Sequence, residues 1–191
     1  AVAAAREIRA SLAQLAELGA AASYHAVDVR DRDAVAALVA ELRREHGPLT
    51  ALVHGAGVLA DKLLDDKTSD DVQRVVGTKL DGLEHLLQAL GDDPLKALVL
   101  FSSTTARFGR KGQSDYAMAN ELLNKRAQAE ARRRPGCRVL AFNWGPWAGG
   151  MVDPSLAALF ADEGIATIPL EAGAQLLVDE LAGDGPVEVI V

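Results

Sequence analysis

The sequence predicts an α/β fold in which a parallel sheet carries helices on both faces. Three observations carry that expectation. Short apolar runs alternate along the chain with longer helix-like segments, the pattern of strand–helix–strand crossovers. Glycine and proline mark the joints, as at Gly19 and at Gly47–Pro48. Hydrophobic residues make up 49% of 191 residues, enough for a packed core, and aromatics only 4%, so that core is built mainly from Ala, Leu and Val.

In chain order, residues 2–18 read as an amphipathic helix closed by Gly19, and residues 23–29 as a first strand. Asp31 is placed to cap a helix running to His46, which Gly47 and Pro48 end. Residues 50–54 read as a short buried strand leading into a glycine turn, Gly55-Ala56-Gly57. After a loop over 58–67 comes a long helix over 69–90, with Ser69 as its cap and Asp70 and Asp71 in its first turn. Residues 96–102 form the next strand. A helix follows from near Ser114 to near Arg134, and residues 137–143 form another strand. A loop then leads to two short helices near 155–163 and 171–181, and residues 187–191 close the order as a final strand.

Charge and composition exclude several function classes. A net charge of −7 argues against nucleic acid, which needs a basic footprint. No apolar run approaches the ~20 residues of a membrane span, and no signal peptide opens the chain. The single cysteine, Cys137, reads as a buried thiol in a reducing, cytoplasmic compartment. His25, His46, His54 and His85 lack ligand-like spacing, so no metal site is expected. The chain opens without methionine, which reads as a piece of a longer polypeptide.

The chemistry concentrates in residues 99–124, VLFSSTTARFGRKGQSDYAMANELLN. Ser103 stands at the end of a strand, thirteen residues before Tyr116, and Asn120 follows that tyrosine by four, on the same helix face. The hydroxyl, phenol and amide can therefore converge at the carboxyl edge of a parallel sheet, where ligands bind. A serine and a tyrosine there suit proton transfer to a carbonyl oxygen. Nucleophilic attack is not indicated, because no histidine lies in the stretch to activate the serine.

These residues belong to a larger set of motifs: DVRD at 28–31, HGAGVLADK at 54–62, GTKLDG at 77–82, FSS at 101–103, GQSDYAMAN at 112–120 and NWGPWAGGM at 143–151. Together they resemble the ketoreductase domain of a type I polyketide or polyunsaturated fatty acid synthase, a branch of the short-chain dehydrogenase/reductase family. The resemblance implies a Rossmann-like, doubly wound parallel sheet, incomplete at the N-terminus. The family's first two strands and glycine-rich phosphate loop have no counterpart, so residues 1–191 read as a partial catalytic domain.

The resemblance assigns roles residue by residue. Tyr116 is implied as general acid and Ser103, rather than Ser102, as the group that holds the substrate carbonyl. Lys79 is implied as the cation that lowers the phenol pKa. The wider family carries that lysine four residues after the tyrosine, where this chain has Asn120; synthase ketoreductases exchange the two. Asn120 would position Lys79 or a relay water. NADPH is the implied cofactor, with Asp28, Val29, Gly55, Ala56, Gly57, Lys79, Tyr116, Gly145, Pro146 and Trp147 around it. The 143–151 loop would fold over the nicotinamide, hinged at Gly149 and Gly150, with Trp144 and Trp147 offering flat apolar surface. Asp61, Phe108, Gln113 and Met151 would face the substrate.

Leu59-Ala60-Asp61 resembles a Leu-Asp-Asp signature for D-hydroxy products with its middle aspartate lost, so the D-alcohol is expected. The implied partner is an acyl carrier protein presenting substrate on phosphopantetheine, alongside other synthase domains, with Arg107, Arg110 and Lys111 as a basic guide. The expected reaction is NADPH-dependent reduction of a 3-ketoacyl thioester by the intact parent, the isolated chain being inactive. A catalytically silent structural domain, or a stand-alone reductase of small carbonyl compounds, are the alternatives. Because the family's missing strands would lie between residues 23–29 and 50–54, those two segments are expected not to pair.

Overall fold

A computed structural model describes residues 2–149, 152 and 154–191. Its strands are β1 (Ala51–His54), β2 (Ala97–Ser103), β3 (Arg138–Trp144) and β4 (Glu188–Ile190). All pair in parallel, in the order β1-β2-β3-β4, with Val53 opposite Val99 and Leu100 opposite Ala141. The helices are α1 (Val2–Glu17), α2 (Arg32–His46), α3 (Ser69–Val76), α4 (Gly82–Leu90), α5 (Thr105–Phe108), α6 (Ser114–Arg133), α7 (Pro154–Asp162) and α8 (Leu170–Ala182). No helix among the described residues is long and apolar enough to cross a membrane.

Strand periodicity sorts the core into two layers. On β2, Leu98 and Leu100 pack with Leu83 and Leu87 of α4 and with Leu123 and Ala127 of α6. Val99 and Phe101 join Leu140, Phe142 and Trp144 of β3 and meet Leu176, Leu177 and Leu181 of α8. Leu98, Leu100, Leu83 and Leu123 are all fully buried. Each such side chain contributes ~1.5–3 kcal/mol by leaving water. A single truncation such as Leu98→Ala would cost ~2–5 kcal/mol once the cavity is counted.

Three expectations are corrected. Residues 20–28 join no ladder. Val27 instead packs into the cluster of Val35, Val39 and Leu90 between α2 and α4, and the Val29 carbonyl accepts a hydrogen bond from His85 Nδ1 at 3.1 Å. Val27 and Val29 are half-buried against helices, while Tyr24 stays 57% exposed. As expected, this segment does not pair with β1; Val53 on β1 is 56% exposed. The long helix over 69–90 is interrupted by one wide π turn at Gly77–Asp81, between α3 and α4. Its cap is Thr68, not Ser69: Thr68 Oγ1 accepts the Asp71 amide at 3.2 Å, and the Asp71 carboxylate accepts the Thr68 amide at 3.0 Å, a reciprocal capping box.

Candidate active site

The carboxyl ends of β1, β2 and β3 open onto a cavity of about 510 Å³. Ser103, Tyr116 and Lys79 all line it. The two adjacent serines separate cleanly. Ser102 is 4% exposed, and its hydroxyl is committed to Asn143 Oδ1 and the Asn120 carbonyl, each at 3.1 Å. Ser103 Oγ is engaged by a short hydrogen bond with Thr105 Oγ1 and accepts the Thr105 amide at 3.2 Å.

Lys79 reaches the cavity from the π turn. The wide turn rotates its side chain inward, where it is 3% exposed, and its ammonium donates to the Phe101 carbonyl at 2.9 Å. It lies 5.5 Å from the centre of the Tyr116 ring. Burial pushes its pKa down from 10.5 to about 8. Gly57 makes room: a Cβ there would stand 3.2 Å from Lys79 Cε. His54 fixes the turn, its Nε2 donating to the Lys79 carbonyl at 2.9 Å. Burial lowers the His54 pKa to about 4, so the ring is neutral near pH 7 and its Nε2 carries the proton.

The phenol pKa of Tyr116 stands above its ordinary value of 10, opposite to the lowering expected of a nearby cation. Burial is the largest cause and the Asp61 carboxylate adds to it, while Asn120 and Ser103 pull the other way. The Lys79 ammonium lies against the ring, and desolvation is the larger effect on the phenol. Asn120 is fully buried, and its Nδ2 donates to the Tyr116 carbonyl at 2.8 Å. Its Oδ1 has no hydrogen-bond partner among the described residues.

Of the cofactor candidates, Gly55, Gly57, Gly145, Pro146 and Trp147 line the cavity. Ala56 lies between two of them without forming its wall, and Asp28 and Val29 are not brought to it. The Asp28 carboxylate is paired with Arg30 at 2.6 Å, a hydrogen-bonded contact that lowers its pKa to about 2. Val29 rests on Gly82, where a Cβ would come within 2.7 Å of its Cγ2. Of the substrate candidates, Gln113 and Phe108 line the cavity, Phe108 from an exposed rim position. Asp61 is reached through Gln113, whose Nε2 donates to its carboxylate at 2.7 Å. Met151 and the hinge residue Gly150 lie outside the described residues.

The two tryptophans are less loop-like than their motif suggests. Trp144 ends β3, 4% exposed and stacked on Phe142 with centroids 4.6 Å apart. Trp147 meets Trp144 edge-on at 4.7 Å and covers Gly173 of α8. The basic cluster is also largely spoken for. Arg107 pairs with Glu121 and Glu188, and Arg110 pairs with Glu163 and lies over the Phe160 ring. Sequence reasoning missed the apolar far wall from Leu156, Phe160, Ile165 and Leu170, because no motif marks it. It also passed over His54, whose only signal was its place at the end of a buried strand. No cluster of metal-ligating side chains occurs among the described residues.

Sheet, crossover helices and carboxyl-edge cavity define a Rossmann-like domain of the short-chain dehydrogenase/reductase type. A family model described as "KR domain" matches residues 2–149, and the chain belongs to that family, the ketoreductase domains of polyketide and polyunsaturated fatty acid synthases. It is 42% identical over 188 residues to one subunit of the polyunsaturated fatty acid synthase of Thraustochytrium sp. (strain ATCC 26185 / S-3), covering 98% of this chain and 7% of that protein. It is 40% identical over 182 residues to the pikromycin polyketide synthase component PikAII of Streptomyces venezuelae, covering 91% of this chain and 5% of that protein. Among solved structures, an N-terminal ketoreductase from the macrolactin assembly line superposes with a TM-score of 0.85 at 26% identity, over 97% of this chain and 36% of that one. An A1-type ketoreductase gives 0.83 at 34% identity, over 94% and 38%.

Proposed function

We propose that this chain is the catalytic part of a ketoreductase that uses NADPH to reduce a carrier-bound 3-ketoacyl thioester to the 3-hydroxyacyl thioester within a larger synthase. The observation that carries the proposal is the convergence of Ser103, Tyr116 and buried Lys79 on one cavity at the sheet's carboxyl edge. The residues fit the nicotinamide–ribose half of the cofactor. Gly57 leaves a backbone cradle beside Lys79, Gly145 and Pro146 also line the cavity, and Trp144 Nε1 and Asn120 Oδ1 are buried polar atoms without protein partners among the described residues. When bound, the reduced nicotinamide supplies the hydride.

The chain's own residues handle the oxygen. Ser103 donates to the ketone oxygen and orients it. Tyr116, its pKa raised by burial, is fully protonated at neutral pH and gives its proton to that oxygen as negative charge develops. The Lys79 ammonium stabilises the phenolate left behind, and it is positively charged below about pH 8. Asp61 is held by Gln113 at the cavity's edge, and the resemblance of Leu59-Ala60-Asp61 to the D-type signature supports the D-alcohol as product. An acyl carrier protein delivers the substrate; with Arg107 and Arg110 in ion pairs, Lys111 is the remaining basic contact of that cluster. Purified parent protein supplied with a 3-ketoacyl thioester tests the proposal by NADPH oxidation and chiral chromatography. No turnover would refute the activity, faster turnover with NADH the cofactor, and the L-alcohol the configuration.

A further inference from the structure

Lys67 and Asp115 form the most enclosed ion pair among the described residues, Nζ to Oδ1 2.9 Å with each side chain 2% exposed. Burying two charges adds little net stability, because desolvation offsets their attraction. The geometry explains the placement better. The Lys67 ammonium also donates to the Ala60 carbonyl at 2.8 Å, and Asp115 Oδ1 also accepts the Tyr116 amide at 2.9 Å. One pair therefore clamps the loop carrying Leu59, Ala60 and Asp61 to the first turn of α6, which carries Tyr116. Two weaker ties run alongside: Gln113 Nε2 to Asp61, and the Lys62 amide to the Gly112 carbonyl at 3.1 Å. Leu59 lines the cavity beside Tyr116, so the clamp sets the spacing between one wall of the cavity and the phenol.

We propose that Lys67 and Asp115 are positioning residues that lock the 59–61 loop against the Tyr116 helix and thereby fix how the ketone is presented to the phenol. This rests on the ketoreductase reading above. An apolar pair at these positions would fill the space but hold neither the Ala60 carbonyl nor the Tyr116 amide.

The test uses the intact parent polypeptide. Removing one charge strands the other in the interior, so the main variant is the double substitution K67M/D115N. It leaves no unpaired charge and keeps an acceptor for the Tyr116 amide, but it loses the tie to Ala60. The expected result is a folded protein with kcat lowered about 10- to 100-fold, the scale of a small misplacement of reacting groups. The KM for NADPH should be unchanged and the minor alcohol configuration enriched. Hydrogen–deuterium exchange over residues 57–63 should quicken about tenfold, with β2 unaffected. That readout stands even if the parent reduces no thioester, an outcome that would count against the ketoreductase reading and not against the clamp. If that variant does not accumulate, K67Q/D115N, equally free of unpaired charge and with a side chain at 67 too short to reach both the Ala60 carbonyl and position 115, carries the same measurements. Wild-type kcat, product ratio and exchange in a folded variant would overturn the proposal. Failure of both variants to fold would also overturn it, by making the pair a requirement of the fold.

Discussion

Gly173 lies inside α8, far from the reacting groups in sequence, yet adding one methyl there should be felt in the cavity. A Cβ on Gly173 would stand 2.6 Å from Trp147 Cζ3 and closer still to Cη2. An ordinary carbon contact needs ~3.5 Å, so the indole must move by about 1 Å. It cannot move freely, because Trp144 packs edge-on against its other side at 4.7 Å. Overpacking of this kind costs ~1–3 kcal/mol, while replacing a glycine in the first turn of a helix by alanine returns up to ~1 kcal/mol of helix propensity. The net expectation for Gly173→Ala is a loss of ~0–2 kcal/mol, a fall in Tm of up to ~8 °C at this chain length. The functional effect should be larger. Trp147 lines the cavity, and a ~1 Å displacement of a positioning surface can cost up to ~10²-fold. Thermal melts and steady-state kinetics on the intact domain should show kcat/KM for the thioester falling about 10- to 100-fold with only mild destabilisation. A variant stabilised by ~1 kcal/mol with unchanged kinetics would show that the indole does not rest on this glycine.

Tyr116→Phe should lower kcat by ~10²–10⁴-fold with the KM for NADPH nearly unchanged, since the proton is needed only in the transition state; near-normal turnover would remove Tyr116 from the chemistry. Wild-type activity should fall above about pH 8, where the buried ammonium loses its proton, and Lys79→Met should abolish that fall. The sign for stability is the reverse. The unfolded lysine keeps its proton to about 10.5 and the folded one only to about 8, so Lys79 contributes a rise in stability across pH 8–10.5 worth about 3 kcal/mol. Denaturant titrations at several pH values should show that rise missing from the methionine variant; identical pH profiles would sink the burial argument. Ser102→Ala and Ser103→Ala should part company in turnover rather than in stability: each loses hydrogen bonds worth ~0.5–1.5 kcal/mol, but only the second, which lines the cavity, lowers kcat.

Much of the architecture was legible because local rules agreed with tertiary ones. Asp31 caps α2 as its position suggests, accepting from the Asp33 and Ala34 amides, and the apolar runs before Ser103 and Asn143 became β2 and β3. Residues 23–29 misled because alternation marks a face that can be covered but not a ladder partner: Val27 and Val29 find helices, and the backbone pairs with no strand. The π turn at Gly77–Asp81 was invisible because one extra residue in a helix leaves no compositional mark, and its consequence, a lysine turned inward, is tertiary. That Ser103, Tyr116 and Lys79 meet on one cavity was readable from spacing and motif. The phenol's raised pKa was not, because desolvation depends on what covers a residue. Arg107 and Arg110 looked like a free basic patch only because Glu121, Glu163 and Glu188 lie 14 to 81 residues away in sequence.

Glu188 has a consequence for where the working unit ends. β4 contributes three residues to the sheet, but Glu188 on it accepts from Asn143 Nδ2 at 3.0 Å and pairs with Arg107 of α5. Asn143 in turn holds Ser102 and Asn124, and the Ser102 hydroxyl meets the backbone of Asn120. A continuous chain of buried and part-buried polar contacts thus runs from the last strand to the helix of the tyrosine. The family match stops at residue 149, whereas this anchor and the apolar wall from Leu156 to Leu170 lie beyond it. A polypeptide cut at the family boundary would keep Ser103, Tyr116, Lys79 and Asn120 in its sequence. It would lose the keystone that braces the tyrosine helix and the wall that closes the cavity around a substrate.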